Sequence, residues 1–76
     1  MDLLKLKPII EALLSAADAP LEVNHLYDLF AGDLDQPSKD DIRLALHELV
    51  EEYRTKGIEI KQVASGFRLQ VNPAYS

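Results

Sequence analysis

The sequence predicts an α+β domain of the winged helix-turn-helix type, three helices followed by a β-hairpin wing, spanning residues 1–76 as a single unit. Apolar residues recur at helical spacing as far as Lys56, and after Gly57 the period switches to two. Two breaks, Asp18-Ala19-Pro20 and Ala31-Gly32-Asp33-Leu34-Asp35-Gln36-Pro37, cut the helical part into three. A two-stranded hairpin is marginal by itself, so its apolar face must lie on the helices.

In the first helix Leu6, Ile9, Ile10, Leu13, Leu14 and Ala17 fall at offsets of 3, 4, 7, 8 and 11, a broad inward stripe. Pro8 is tolerated in a first turn, where its missing N–H is no loss, so the regular helix is expected to begin near Lys7. Leu21 reads as a short extended entry to a second helix with Val23, Leu26, Tyr27 and Phe30 inward, and Glu22 is a poor cap. Gly32 is a stop signal.

The third helix, expected from Ser38 to Lys56, carries the strongest local signals. Ser38 and Asp41 have capping-box spacing, and Asp40 and Asp41 place negative charge at the positive end of the macrodipole. Arg54 and Lys56 suit the other end, and Gly57 reads as a left-handed terminator. Ile42, Leu46, Leu49, Val50 and Tyr53, at offsets of 4, 7, 8 and 11, form its core-facing stripe. Beyond it Ile58 and Ile60 alternate with Glu59 and Lys61, and Phe67, Leu69 and Val71 alternate with Arg68 and Gln70 around Ala64-Ser65-Gly66. Val63 leaves that alternation, so either it faces the other side or a bulge lies near Gln62.

Composition narrows the function. With 47% apolar and 28% charged residues the chain is globular, and no apolar run approaches the ~20 residues of a membrane span. Its start, Met-Asp-Leu-Leu-Lys-Leu-Lys, does not read as a secretory signal. The absence of cysteine excludes disulfides and thiol chemistry and is compatible with a reducing cytoplasm. A net charge of −5 argues against a domain that grips polyanions, and residues 18–35 hold five acids with no Lys or Arg.

Catalytic groups do not converge. His47 and Glu51 are one turn apart, but no second histidine follows at metal-ligand spacing; His25 reads as a solvated side chain, and Ser38 is already explained as a cap. No phosphate-cradling glycine loop is present. The expectation is a chain that is not an enzyme, with no catalytic residue, cofactor or metal. DNA binding by the third helix is the sharper use of this fold. Between Asp40 and Glu52, however, five acids face one arginine, and Lys61 and Arg68 of the wing add little. A scaffold that makes protein contacts is therefore expected. The alternative is a winged-helix DNA-binding transcriptional regulator.

The segments Leu6-Lys7-Pro8-Ile9-Ile10-Glu11-Ala12-Leu13-Leu14, Ala19-Pro20-Leu21 and Ala45-Leu46-His47-Glu48-Leu49 precede a more specific string. That string is Glu51-Glu52-Tyr53, a short basic gap, Gly57-Ile58-Glu59, then Val63-Ala64-Ser65-Gly66-Phe67-Arg68-Leu69-Gln70. Together they resemble the amino-terminal domain of segregation and condensation protein B. Ser15, Glu22 and Ser65 depart from the family's usual residues there. The resemblance implies a non-enzymatic bacterial subunit, cytoplasmic and nucleoid-associated, acting in chromosome condensation, partition and cell division. Its implied partners are a second copy in a homodimer, a kleisin subunit (ScpA-like) and, through it, an SMC ATPase. Direct nucleic-acid binding would be weak, and no membrane is involved. It also implies that residues 1–76 are the amino-terminal half of a longer protein with two winged-helix domains. As candidate interface residues we single out Leu3 and Leu4, outside the regular stripe of the first helix, Phe67 and Leu69 on the hairpin, and Tyr75 near the end; Phe67 and Leu69 also read as residues that close the core.

Overall fold

The computed structural model describes residues 1–75; Ser76, the last residue of the expected domain, lies outside them. Helix α1 is Leu3–Ala16, α2 Val23–Leu29 and α3 Lys39–Glu52; strands β1 (Ile58–Val63) and β2 (Gly66–Val71) form an antiparallel hairpin. This is the three-helix and wing order expected. Leu6, Ile10 and Leu14 of α1, Leu26 of α2, Ile42, Ala45, Leu46 and Leu49 of α3, and Ile60 of β1 are buried together, with Phe30 closing the end of α2. Ala45, outside the stripe expected for α3, is completely buried as well. Ile9 was assigned inward and is 39% exposed.

Local chemistry places most boundaries. Ser38 Oγ accepts from Asp41 N–H at 3.0 Å while Asp41 Oδ2 accepts from Ser38 N–H at 3.2 Å, a closed capping box. Glu22 caps α2 without a side-chain hydrogen bond. Helix α1 departs from expectation by starting at Leu3 rather than near Lys7. Asp2 caps it by accepting from Lys5 N–H at 3.0 Å, so Pro8 sits in the second turn. There its ring removes one helical bond, and burial of Leu6 and Ile10 holds the helix regardless.

The end of α3 differs too. The α-helix stops at Glu52 and tightens into a 3-10 turn, Tyr53–Thr55, closed by Lys56 N–H on Tyr53 C=O at 3.1 Å. The last carbonyls are thereby satisfied without a left-handed residue, and Gly57 does not have a positive φ. Glycines with positive φ are Gly32 (+88°) and Gly66 (+130°).

The hairpin register runs from Ile58 opposite Val71 to Val63 opposite Gly66 without interruption, so there is no bulge and Val63 faces the opposite side from Ile58 and Ile60. Leu21 forms a one-residue third strand. Its N–H donates to Phe67 C=O and its C=O accepts from Phe67 N–H, both at 2.8 Å. Gly66 makes that approach possible: a Cβ there would stand 2.4 Å from Leu21 O.

Candidate protein-interaction surfaces

The acidic residues of α3 do not all point outward. Lys7 of α1 reaches across to Glu48 at 3.3 Å and to Glu52, and Tyr53 hydroxyl donates to Glu11 of α1. Glu51 pairs with Arg54 at 3.1 Å. The Lys7 and Tyr53 contacts clamp the carboxyl half of α3 to α1. The hydrogen bond to Glu52, opposed by desolvation and aided by Glu48, raises the Lys7 pKa. The hydrogen bond to Glu11 and partial burial push the Tyr53 hydroxyl up to about 12. Glu48 and Glu52, two of the five acids between Asp40 and Glu52, thus close a helix–helix seam.

What α3 turns toward the wing is different. Arg43, His47 and Val50, one stripe at offsets of 4 and 7, face Gln62 and Phe67 of the hairpin and Val23 of α2 across a groove of about 440 Å³. Its floor is the half-buried Val23, Val50 and Phe67, and no carboxylate lines it. Arg43 bonds Asp40 at 2.9 Å yet leaves 57% of its side chain exposed.

A second apolar region lies at the base of the wing, where Ile58 (49% exposed) and Val71 (61%) are paired across the strands beside Leu69 and Ser15. A third feature is Leu34, fully exposed in the loop between α2 and α3.

The candidate residues chosen from sequence do not converge on one surface. Leu3 is half-buried against the core, whereas Leu4, one position on, is 86% exposed. Phe67 and Leu69 both pack against the core from the hairpin, Phe67 at the groove and Leu69 at the wing base. Tyr75, in a 3-10 turn after β2, is 64% exposed. Ile58, Val71 and Leu34 were not singled out. For Leu34 a signal existed: an apolar residue between two aspartates in a segment otherwise composed as a loop.

Among the described residues no group of three or more His, Asp or Glu side chains could hold a metal ion, and no helix is long and apolar enough to cross a membrane. His25 and His47 are exposed.

Residues 8–76 match the family described as segregation and condensation complex subunit ScpB. A curated relative, the segregation and condensation protein B homolog of Coxiella burnetii, is 42% identical over 71 residues, covering 92% of this chain and 33% of that protein. The chain thus spans about a third of the length of that relative. No solved structure matches the chain.

Proposed function

Because this chain belongs to the segregation and condensation complex subunit ScpB family, we propose that it serves as a non-catalytic part of that complex, acting in chromosome condensation and segregation through protein contacts. Its partners in this reading are a second copy of itself and a kleisin subunit that connects it to an SMC ATPase, in the cytoplasm at the nucleoid. The observation that carries the reading is the set of large apolar side chains left in water, from Leu4 near one end through Leu34 in a loop to Ile58 and Val71 on the wing. Of these, Ile58 and Val71 adjoin each other across the strands beside Leu69, and a contiguous exposed apolar patch of that kind marks a protein-contact surface. Leu3, Leu4, Phe67, Leu69 and Tyr75 remain the proposed contact residues, with Leu4 and Tyr75 the most accessible of them.

Size and binding measurements test this together. Sedimentation of the chain into the high micromolar range should show self-association, and a kleisin subunit should co-sediment with the longer protein. Monomer throughout with no kleisin binding would refute the reading. Tight, salt-sensitive binding to duplex DNA at low salt would favour the transcriptional-regulator alternative instead.

A further inference from the structure

The groove between α3 and the wing differs in kind from the exposed apolar residues elsewhere on the domain. None of the large apolar side chains left in water lines it. Its apolar groups, Val23, Val50 and Phe67, are half-buried and form a floor, while Arg43, His47 and Gln62 stand exposed around that floor. Protein-contact patches present apolar groups outward, whereas a recessed apolar floor under a few polar groups is the make-up of a small-ligand site. The volume, about 440 Å³, lies within the range of roughly 300–1,000 Å³ usual for such sites.

The floor is set before anything binds. Phe67 N–H and C=O both bond Leu21 at 2.8 Å, which fixes the strand that carries its ring, and Leu21 leads within two residues to Val23 at the start of α2. Val50 lies on α3, whose first turn is closed by the Ser38–Asp41 capping box. Three elements thus hold the three floor residues, and little order has to be gained on binding.

The rim selects charge. Arg43 and His47 stand one turn apart on α3, and no carboxylate lines the groove although the chain carries 13 acids. Arg43 donates one N–H to Asp40 at 2.9 Å; a guanidinium has five, so donors remain, and 57% of the side chain is exposed. His47 and the Gln62 carboxamide add donors from the two walls. A cationic ligand would meet Arg43, and a sugar would leave the floor without an apolar partner. A carboxylate on an apolar body satisfies both.

We propose that the α3–wing groove is a binding site for a small amphipathic carboxylate, its apolar body on Val23, Val50 and Phe67 and its carboxylate on Arg43 with His47. Neither a second copy nor a partner subunit takes part, so this site stands or falls separately from the assembly reading above.

The probe is 2-naphthoate, with uncharged 2-naphthamide as its isostere, each titrated into the isotope-labelled chain and followed by amide NMR. A probe of this size should bind with a dissociation constant of about a millimolar. It should move the backbone amides of Val23, Val50 and Phe67 and the side-chain amide of Gln62, and leave those of Ile58 and Val71 in place. Naphthamide should bind about tenfold more weakly, and Arg43→Gln should weaken naphthoate by about tenfold while bringing the two ligands close to parity. Arg43 is exposed, so the variant should melt like the parent. Absence of any shift at about ten times the expected constant overturns the site, as do shifts centred on Ile58 and Val71, equal binding of naphthamide to the parent, or unchanged naphthoate binding by Arg43→Gln. Shifts of the same groove amides when the chain alone is concentrated, or loss of naphthoate binding when a kleisin subunit occupies the longer protein, would assign the groove to a protein and overturn it as well.

Discussion

Replacing Gly66 with alanine isolates the joint between the wing and the helical body. The new Cβ would lie 2.4 Å from Leu21 O, 2.5 Å from Leu21 C and 2.9 Å from Glu22 N, all backbone atoms that no side-chain rotation can move aside. Bringing the nearest contact to 3.0 Å requires the chains to part by at least 0.6 Å. That separation weakens two hydrogen bonds of 2.8 Å between Leu21 and Phe67, which together form the entire third strand. The φ of +130° at Gly66 is a second difficulty, since an L side chain rarely adopts it. Backbone strain of ~1–3 kcal/mol and two hydrogen bonds at ~0.5–1.5 kcal/mol each give a destabilisation of about 2–6 kcal/mol. A 76-residue domain has a net stability of roughly 4–11 kcal/mol, so this is a large share of it. Urea denaturation followed by far-UV circular dichroism measures the loss directly, and the melting temperature should fall by about 8 °C or more. Gly57→Ala is the control: a Cβ there meets nothing within 4 Å and φ is not positive, so its stability should change by about 0.5 kcal/mol at most. If Gly66→Ala loses less than about 1 kcal/mol, the close approach does not determine the wing's position.

Three further outcomes follow from the helices. Tyr53→Phe should lower stability by about 1 kcal/mol at neutral pH by removing the hydrogen bond to Glu11. The folded Tyr53 hydroxyl, raised from 10.0 to about 12, holds its proton more tightly than the unfolded chain does. Its contribution is therefore complete below pH 10 and lost as pH rises toward 12, and urea midpoints of parent and variant should converge across that window. Glu22→Ser should gain about 0.5–1 kcal/mol by supplying the side-chain cap that α2 lacks, read as a higher urea midpoint at unchanged slope. Leu46→Asp places a charge at a completely buried position and should abolish the cooperative melt; a transition within a few degrees of the parent would remove Leu46 from the core.

Read without a structure, the chain already specified its helices, its capping box and its hairpin. Each of these is written in residues a few positions apart: Ser38 with Asp41, Ile42 with Leu46 and Leu49, Phe67 with Leu69. Backbone hydrogen bonds within helices and tight turns have that same short reach, so local pattern and local structure coincide. The start of α1 escaped this reading because Pro8 signals a first turn, whereas Asp2 provides a working cap six residues earlier and the core accepts Leu6. The end of α3 escaped because a 3-10 turn satisfies the last carbonyls without the left-handed residue that Gly57 signals.

Only the tertiary structure decided where the charges of α3 go. Lys7 lies 41 residues from Glu48 and 45 from Glu52, so no periodicity joins them, and packing of α1 on α3 turns two apparent surface acids into a seam. The same packing leaves Arg43, His47 and Val50 facing the wing, keeps Gly66 against Leu21, and sets Leu34 in water while Leu26 and Leu46 are enclosed. Sequence spacing determines which side chains share a face of an element. Which faces meet, and which stay open to a partner, depends on contacts between elements far apart in the chain.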